Sequence, residues 1–116
     1  MRSVKVKTVN LEEGLPPLPQ ALSKLKSELQ RARQDRIAVL KLIHGYGSSG
    51  VGGDLRIAVQ AALQQMAQRG EIQACIVGED WRKSDARTWD LLKRFPSLKD
   101  DHDLGRGNKG IAIVIL

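Results

Sequence analysis

An α/β fold is what this sequence predicts: a compact α/β sandwich in which a mixed, partly parallel four-stranded sheet packs against two to three helices. Three observations carry the prediction. At 116 residues the chain is long enough to bury one core and too short for two, so residues 1–116 read as a single domain. Four short apolar or alternating runs are separated by segments whose leucines and alanines recur at helical steps of three and four. The apolar run 37–43 stops at His44, five glycines then fall within positions 45–53, and a helical pattern begins. A strand, a glycine-rich turn and a helix N-terminus in that order aim backbone amides and the positive end of the helix dipole at one point, which suits an oxyanion or a phosphate.

Each element follows from its residues. Residues 3–10 alternate, with Val4, Val6 and Val9 expected on one side and Lys5 and Lys7 on the other, as in a half-buried edge strand. A connection rich in Pro and Glu spans 11–18. Pro19 suits the first turn of a helix, where its missing N–H is not needed. Leu18, Leu22, Leu25, Leu29 and Ala32 form the apolar stripe of that helix, which is expected to stop near 34–36. Residues 37–43 are nearly all apolar, as in a strand covered on more than one side. The second helix is expected over 54–69, with Asp54 as N-cap, Leu55, Val59, Ala62, Leu63 and Met66 inward, and Gly70 as the C′ residue. Residues 72–77 read as a third strand, and a right-handed crossover through a helix of this length makes it parallel to the second. Ser84 is placed to cap a short helix over 85–95 with Trp89, Leu92 and Phe95 inward, stopped by Pro96. A polar stretch over 97–108 leads into 110–116, a run so apolar that its strand must be central or well covered.

Composition narrows the function classes. The hydrophobic share is 41% and the charged share 28%, values of a globular protein, and no apolar run approaches the length of a membrane span. The N-terminal residues carry charge but no apolar core of a signal peptide, and the one cysteine, Cys75, lies in an apolar run. A cytoplasmic protein without a structural disulfide is the expectation. The formal charge is +6 and uneven: residues 1–50 hold nine Lys/Arg against four Asp/Glu, and residues 51–116 hold ten against nine. A basic excess favours a polyanionic partner and makes binding fall with salt; a merely solvated basic face is the plainer alternative. With aromatic residues at 3%, recognition by stacked bases is not expected.

Several residues carry candidate chemistry. Gly45-Tyr46-Gly47-Ser48-Ser49-Gly50 satisfies a G-x-G-x-x-G pattern after a strand, but Val51, Gly52 and Gly53 intervene before the helix, and Glu79 and Asp80 come late for a ribose-binding acid. A P-loop is excluded, because Val51-Gly52 stands where Lys-Ser or Lys-Thr would follow. His44 can donate to a phosphate, act as a base or ligate a metal; a structural histidine bonding the loop backbone is the alternative. Arg56, in the first turn of the second helix, can clamp an anion at the same point, or else pair with Asp54 or solvent. Asp100, Asp101, His102 and Asp103 read as a solvated acidic loop before a cation site. Ser48 and Ser49 lack the frame of a serine nucleophile elbow.

The residues from Leu42 through His44, Gly45 and Gly47 to Leu55 and Arg56 resemble the HGxG–LR signature of the Smr (small MutS-related) domain family. Residues 105–116, with Gly105, Gly107 and Gly110 before an apolar run, look like that family's closing strand. The resemblance covers most of the chain. It implies an α/β sandwich similar in topology to the C-terminal domain of a bacterial translation initiation factor, binding to structured DNA or to RNA, and metal-assisted nicking in many members. Two departures stand out. Where the family's LDLHG motif is expected, Asn10 replaces the acid and Glu12 or Glu13 takes the place of the histidine. An amide carries no charge for a metal or base role. The loop after His44 is also longer than the family's common form.

The expected function is nucleic-acid binding through phosphates. Gly45, Tyr46, Gly47, Ser48, Ser49, Gly50, Gly52 and Gly53 would supply the seat with Arg56, and Lys5, Lys7, Arg36 and Lys41 would widen the basic footprint. If the chain cleaves, as an endonuclease hydrolysing a phosphodiester, His44 is the acid, base or transition-state donor and Glu12 or Glu13 helps to hold Mg2+ or Mn2+. The alternative is a non-catalytic adaptor that binds a partner protein or a small anion; a dinucleotide-binding domain ranks behind both. DNA or RNA is the expected partner, with no membrane.

Overall fold

The computed structural model describes residues 6–14, 16–45 and 52–116. Along the chain run β1 (Val6–Asn10), α1 (Leu18–Gln34), β2 (Val39–Ile43), α2 (Gly52–Gln68), β3 (Ala74–Val77), α3 (Ala86–Arg94) and β4 (Ile111–Ile115). Short 3-10 turns follow β3 (Gly78–Asp80) and α3 (Pro96–Asp100).

The four strands form one sheet in the order β1-β2-β4-β3. β1 lies parallel to β2, Val6 opposite Val39 and Asn10 opposite Ile43. β4 runs antiparallel to both its neighbours, Ile43 opposite Ile111 on one side and Val77 opposite Ala112 on the other. β2 and β3 therefore point the same way, as a helical crossover demands, with β4 inserted between them. Of the two places its composition allows, central or well covered, the last strand takes the centre, and every residue of β4 is buried.

Alternation along β2 and β4 divides the core in two. Leu40, Leu42, Ala112 and Val114 face α1 and α2, where they meet Leu25, Leu29, Val59 and Leu63. Val39, Ile111, Ile113 and Ile115 face the other way, onto Trp81, Leu91, Leu92 and Leu98. The domain is thus a three-layer sandwich, helices α1 and α2 on one side of the sheet and α3 with its flanking turns on the other. No helix among the described residues is long and apolar enough to cross a membrane.

Both long helices end alike. Ile37 N donates to Ala32 O and Arg36 N to Arg33 O after α1; Glu71 N donates to Met66 O and Gly70 N to Ala67 O after α2. This is the Schellman arrangement, which needs a left-handed residue at C′. Gly70 fills that position at φ 74°, as expected, whereas α1 uses Arg36 at φ 56°.

Four local expectations are corrected. Val6 does not share a face with Val9: Val9 is buried against α1 and α2, Lys7 shares its side and pairs with Glu28 of α1 at 3.1 Å, and Val6 is exposed. A period of two forces this, since residues 7 and 9 must lie together. Leu18 is exposed, and Ala21 takes its place in the buried stripe of α1. α2 opens at Gly52, so Asp54 lies within its first turn and is not the N-cap. In α3 the cap is Asp85, whose carboxylate accepts from Thr88 N at 3.0 Å; Thr88, Leu91 and Leu92 point inward and Trp89 is exposed. Val4 and Lys5 lie outside the described residues.

Candidate functional site

The topology brings the ends of five elements to one edge of the sheet. β1, β2 and β3 all finish there, β4 starts there, and α2 begins there. In sheets with parallel strands this carboxyl edge is the usual place for a ligand.

His44 sits at the end of β2, fully buried. Its backbone N–H donates to Gly110 O at 2.8 Å, which locks it to the start of β4. Its Nδ1 lies 2.6 Å from Gly45 O, so in the neutral ring Nδ1 carries the proton and Nε2 holds the lone pair. That Nε2 is buried and has no hydrogen-bond partner among the described residues. Burial pushes the His44 pKa down; the Gly45 carbonyl opposes it, the Arg56 charge reinforces it, and Glu12 and the Ile111 carbonyl pull weakly upward. His44 is therefore a neutral imidazole at physiological pH.

Gly45 holds φ at 74°, and a Cβ there would overlap the Glu12 carboxylate. The positive φ favours glycine; the Glu12 carboxylate, at the end of a flexible side chain, could move aside. The same contact locates Glu12 beside His44, brought there by the turn after β1: Asn10 Oδ1 accepts from Glu12 N at 2.9 Å, and Leu11 N donates to Ile43 O at 2.8 Å. Asn10 thus serves as a turn former. Lys24, from α1, donates to Asn10 O at 3.0 Å. Glu13 is exposed and outside this cluster.

From α2, Arg56 turns its guanidinium to Glu79 at 3.2 Å, an ion pair whose side chains are 28% and 39% exposed. Its Nε is buried without a partner among the described residues. Glu79 stands where the 3-10 turn after β3 passes close to the chain before β4, a passage possible because Gly78 has no side chain to strike the Asn108 carbonyl.

The expected seat is only partly visible. Tyr46, Gly47, Ser48, Ser49 and Gly50 lie outside the described residues, while Gly52 and Gly53 open α2. The Gly45 amide is not bare, because it donates to Gly110 O at 3.1 Å. Three members of the expected basic footprint are also dispersed. Lys7 is paired under α1. Arg36 lies beyond the C-terminus of α1, at the opposite edge of the sheet. Lys41 faces α3, is 9% exposed, and is held by Asp101 at 2.9 Å and Asp103 at 2.6 Å.

That last cluster also overturns the reading of the acidic stretch as a solvated loop. Asp101 accepts from Trp81 Nε1 at 2.9 Å as well, and Asp103 from Asn108 Nδ2 at 3.0 Å. The carboxylates are a latch that fastens the loop before β4 to the sheet. Burial alone would lower the Lys41 pKa, and the two carboxylates outweigh it and raise it; burial would raise that of Asp103, and Lys41 with Asn108 bring it down. Among the described residues no group of three or more His, Cys, Asp and Glu side chains is placed to hold a metal ion. Cys75 is half-buried, and burial pushes its thiol pKa up, the opposite of an activated thiolate.

Sequence reasoning singled out His44, Glu12 or Glu13, and Arg56; the structure gathers His44, Glu12 and Arg56 and leaves Glu13 exposed. It missed the Glu79–Arg56 pair, and it gave no role to Lys24 or Lys109. Lys109 is exposed next to Gly110, whose carbonyl takes both the His44 and Gly45 amides.

The whole chain is similar to the crystal structure of the Smr domain of Thermus thermophilus MutS2, with a TM-score of 0.55 and 21% identity over 97% of this chain and 98% of that one. No family model and no curated protein matches the sequence. The likeness is one of fold: the chain has the Smr-like α/β architecture that its motifs suggested.

Proposed function

We propose that this Smr-like domain binds nucleic acid through its phosphates at the carboxyl edge of the sheet. One observation carries the reading: a partly exposed arginine with an unpartnered Nε stands just past the first turn of α2, beside the fully buried His44, in a chain of formal charge +6. The helix dipole adds positive potential at the same place. The Arg56–Glu79 pair is no obstacle. Among the described residues the Glu79 carboxylate takes only Nη2 of Arg56, at 3.2 and 3.3 Å, whereas a phosphate can take the unpartnered Nε as a second donor in a bidentate pair. A phosphate would exchange for the Glu79 carboxylate at little cost. Lys24 and Lys109 are the further cations near this edge, in place of Lys7, Arg36 and Lys41.

Phosphodiester cleavage is the second reading, favoured by the Nε2 lone pair of neutral His44 with Glu12 nearby. In it, Nε2, once reached by water, takes the proton of the attacking water as the new P–O bond forms, and the leaving alkoxide takes a proton from solvent as the old one breaks. The donor set does not make a protein-only cation site, so no step runs through Mg2+ or Mn2+.

The test is fluorescence anisotropy with a labelled structured duplex and a hairpin RNA at two salt concentrations. Affinity should fall with salt, and Arg56→Ala should weaken binding with a salt slope shallower by about one. Affinity indifferent to salt would favour the adaptor reading. Conversion of supercoiled plasmid to open circles by wild type and not by His44→Ala, with and without magnesium, separates cleavage from binding alone.

A further inference from the structure

Trp89 is one of two tryptophans, and the two have opposite fates. Trp81 is fully buried and hydrogen-bonded to Asp101; Trp89 is 44% exposed on α3, on the outside of the sandwich. On a helix whose inward positions are taken by Thr88, Leu91 and Leu92, the indole lies outside the buried core and leaves much of its surface open to water. Its surroundings are cationic. Residues 81–99 contain six Lys/Arg against two Asp. Both acids are matched, Asp85 by Arg87 at 3.4 Å and Asp90 by Lys93 at 3.3 Å. Arg82, Lys83, Arg94 and Lys99 are exposed and have no acidic partner among the described residues. Lys93 follows Trp89 by four residues, so the two are neighbours on one helix face. Arg94 lies over the Phe95 ring, 5.2 Å from its centroid.

This surface is tied to the phosphate edge. Glu79 and Asp80 form one 3-10 turn, Thr88 Oγ1 donates to Asp80 O at 2.7 Å, and Arg87 pairs with Asp80 at 3.1 Å. Arg82 and Lys83 occupy the bend between that turn and α3. Trp89 comes only about 4.5 Å along the helix axis from the start of α3. Arg82 and Lys83 thus lie, along the chain, between the Glu79 partner of Arg56 and the helix that carries Trp89.

We infer that α3 presents a base-stacking platform, with Trp89 as the plane and Arg82, Lys83, Lys93 and Arg94 as backbone contacts, for a single-stranded stretch that adjoins the phosphate-bound part of the nucleic acid. The inference rests on the proposed nucleic-acid binding. Stacking is tolerant of base identity, so the platform selects for an unpaired strand and not for a sequence.

The test uses the full chain, a labelled oligothymidylate, a blunt duplex of equal length, and vesicles containing phosphatidylserine. Oligothymidylate should quench tryptophan emission, and the buried Trp81 leaves Trp89 as the reporter. Trp89→Ala should keep the melting temperature, weaken oligothymidylate binding about tenfold and leave duplex binding within about twofold; Trp89→Tyr should recover part of the loss. Unchanged oligothymidylate affinity in Trp89→Ala, with Arg56→Ala still impaired on the duplex, would overturn the platform and spare the phosphate site. A Trp89→Ala defect confined to the vesicles would overturn it in favour of a lipid surface. No binding to either nucleic acid would overturn both.

Discussion

Replacing Lys41 by Met measures how much the latch beneath β2 holds the domain together. The Lys41, Asp101 and Asp103 side chains are 11%, 18% and 16% exposed, so the cluster is largely out of water. Removing one partner of a buried ion pair costs about 3–5 kcal/mol, because the other charge stays behind unpaired. Here the abandoned carboxylates keep other donors: Trp81 Nε1 and the Asp103 amide for Asp101, and Asn108 Nδ2 for Asp103. Together with their residual exposure, this sets the expected loss at the lower end, about 3 kcal/mol. For a domain of this size that is a fall of roughly 10 °C in Tm, read by thermal and urea unfolding. Adding Asp101→Asn and Asp103→Asn should return part of the loss, since an uncharged set leaves nothing unpaired. A Lys41→Met protein that melts with the wild type but binds nucleic acid more weakly would refute the reasoning and return Lys41 to the surface.

Three other outcomes follow from single positions. Arg36→Gly should stabilise the domain by about 0.5–1 kcal/mol, because the C′ position of α1 needs a left-handed residue that glycine adopts without strain; an unchanged urea midpoint would contradict the φ of 56°. Gly78→Ala should destabilise by about 1–3 kcal/mol, since its Cβ meets the backbone carbonyl of Asn108, which cannot rotate away. For His44 the folded pKa is lowered below the ordinary 6.5, so its contribution is complete above that pH and is lost as pH falls from 6.5 through the folded value. Tm measured against pH should decline over that window, and His44→Gln should flatten the decline.

The order of strands and helices was legible because each element carries its own period. The four runs and the long amphipathic stripes fix where strands and helices lie, and the run 110–116 could only be a strand that is central or well covered. The errors came where two signals met. Val6 and Val9 cannot share a face of a strand, and Lys7 could turn inward only because Glu28, on another element, receives it. Trp89 and Leu91 compete for the inside of a nine-residue helix, and the indole's bulk gave no clue that it loses. At the site, His44, Glu12 and Arg56 stood out by resemblance and position. Glu79 as the partner of Arg56 did not, because the pairing spans the rest of α2 and a strand, 23 residues in all. The same holds for the latch: Lys41 and Asp101 are sixty residues apart in the chain, so no local pattern could join them.

The place of β4 has a consequence for how the molecule comes into being. The strand lying between β2 and β3 is the fourth of the four to leave the ribosome, so the earlier three cannot complete a sheet during their own synthesis. Until residues 111–115 emerge, the apolar edges of β2 and β3 wait without a partner, a condition that slows assembly and invites pairing with other chains. Holding back the nascent chain by a stall just before β4 should therefore give a species that chaperones recognise, and releasing the stall should close the sheet in one cooperative step.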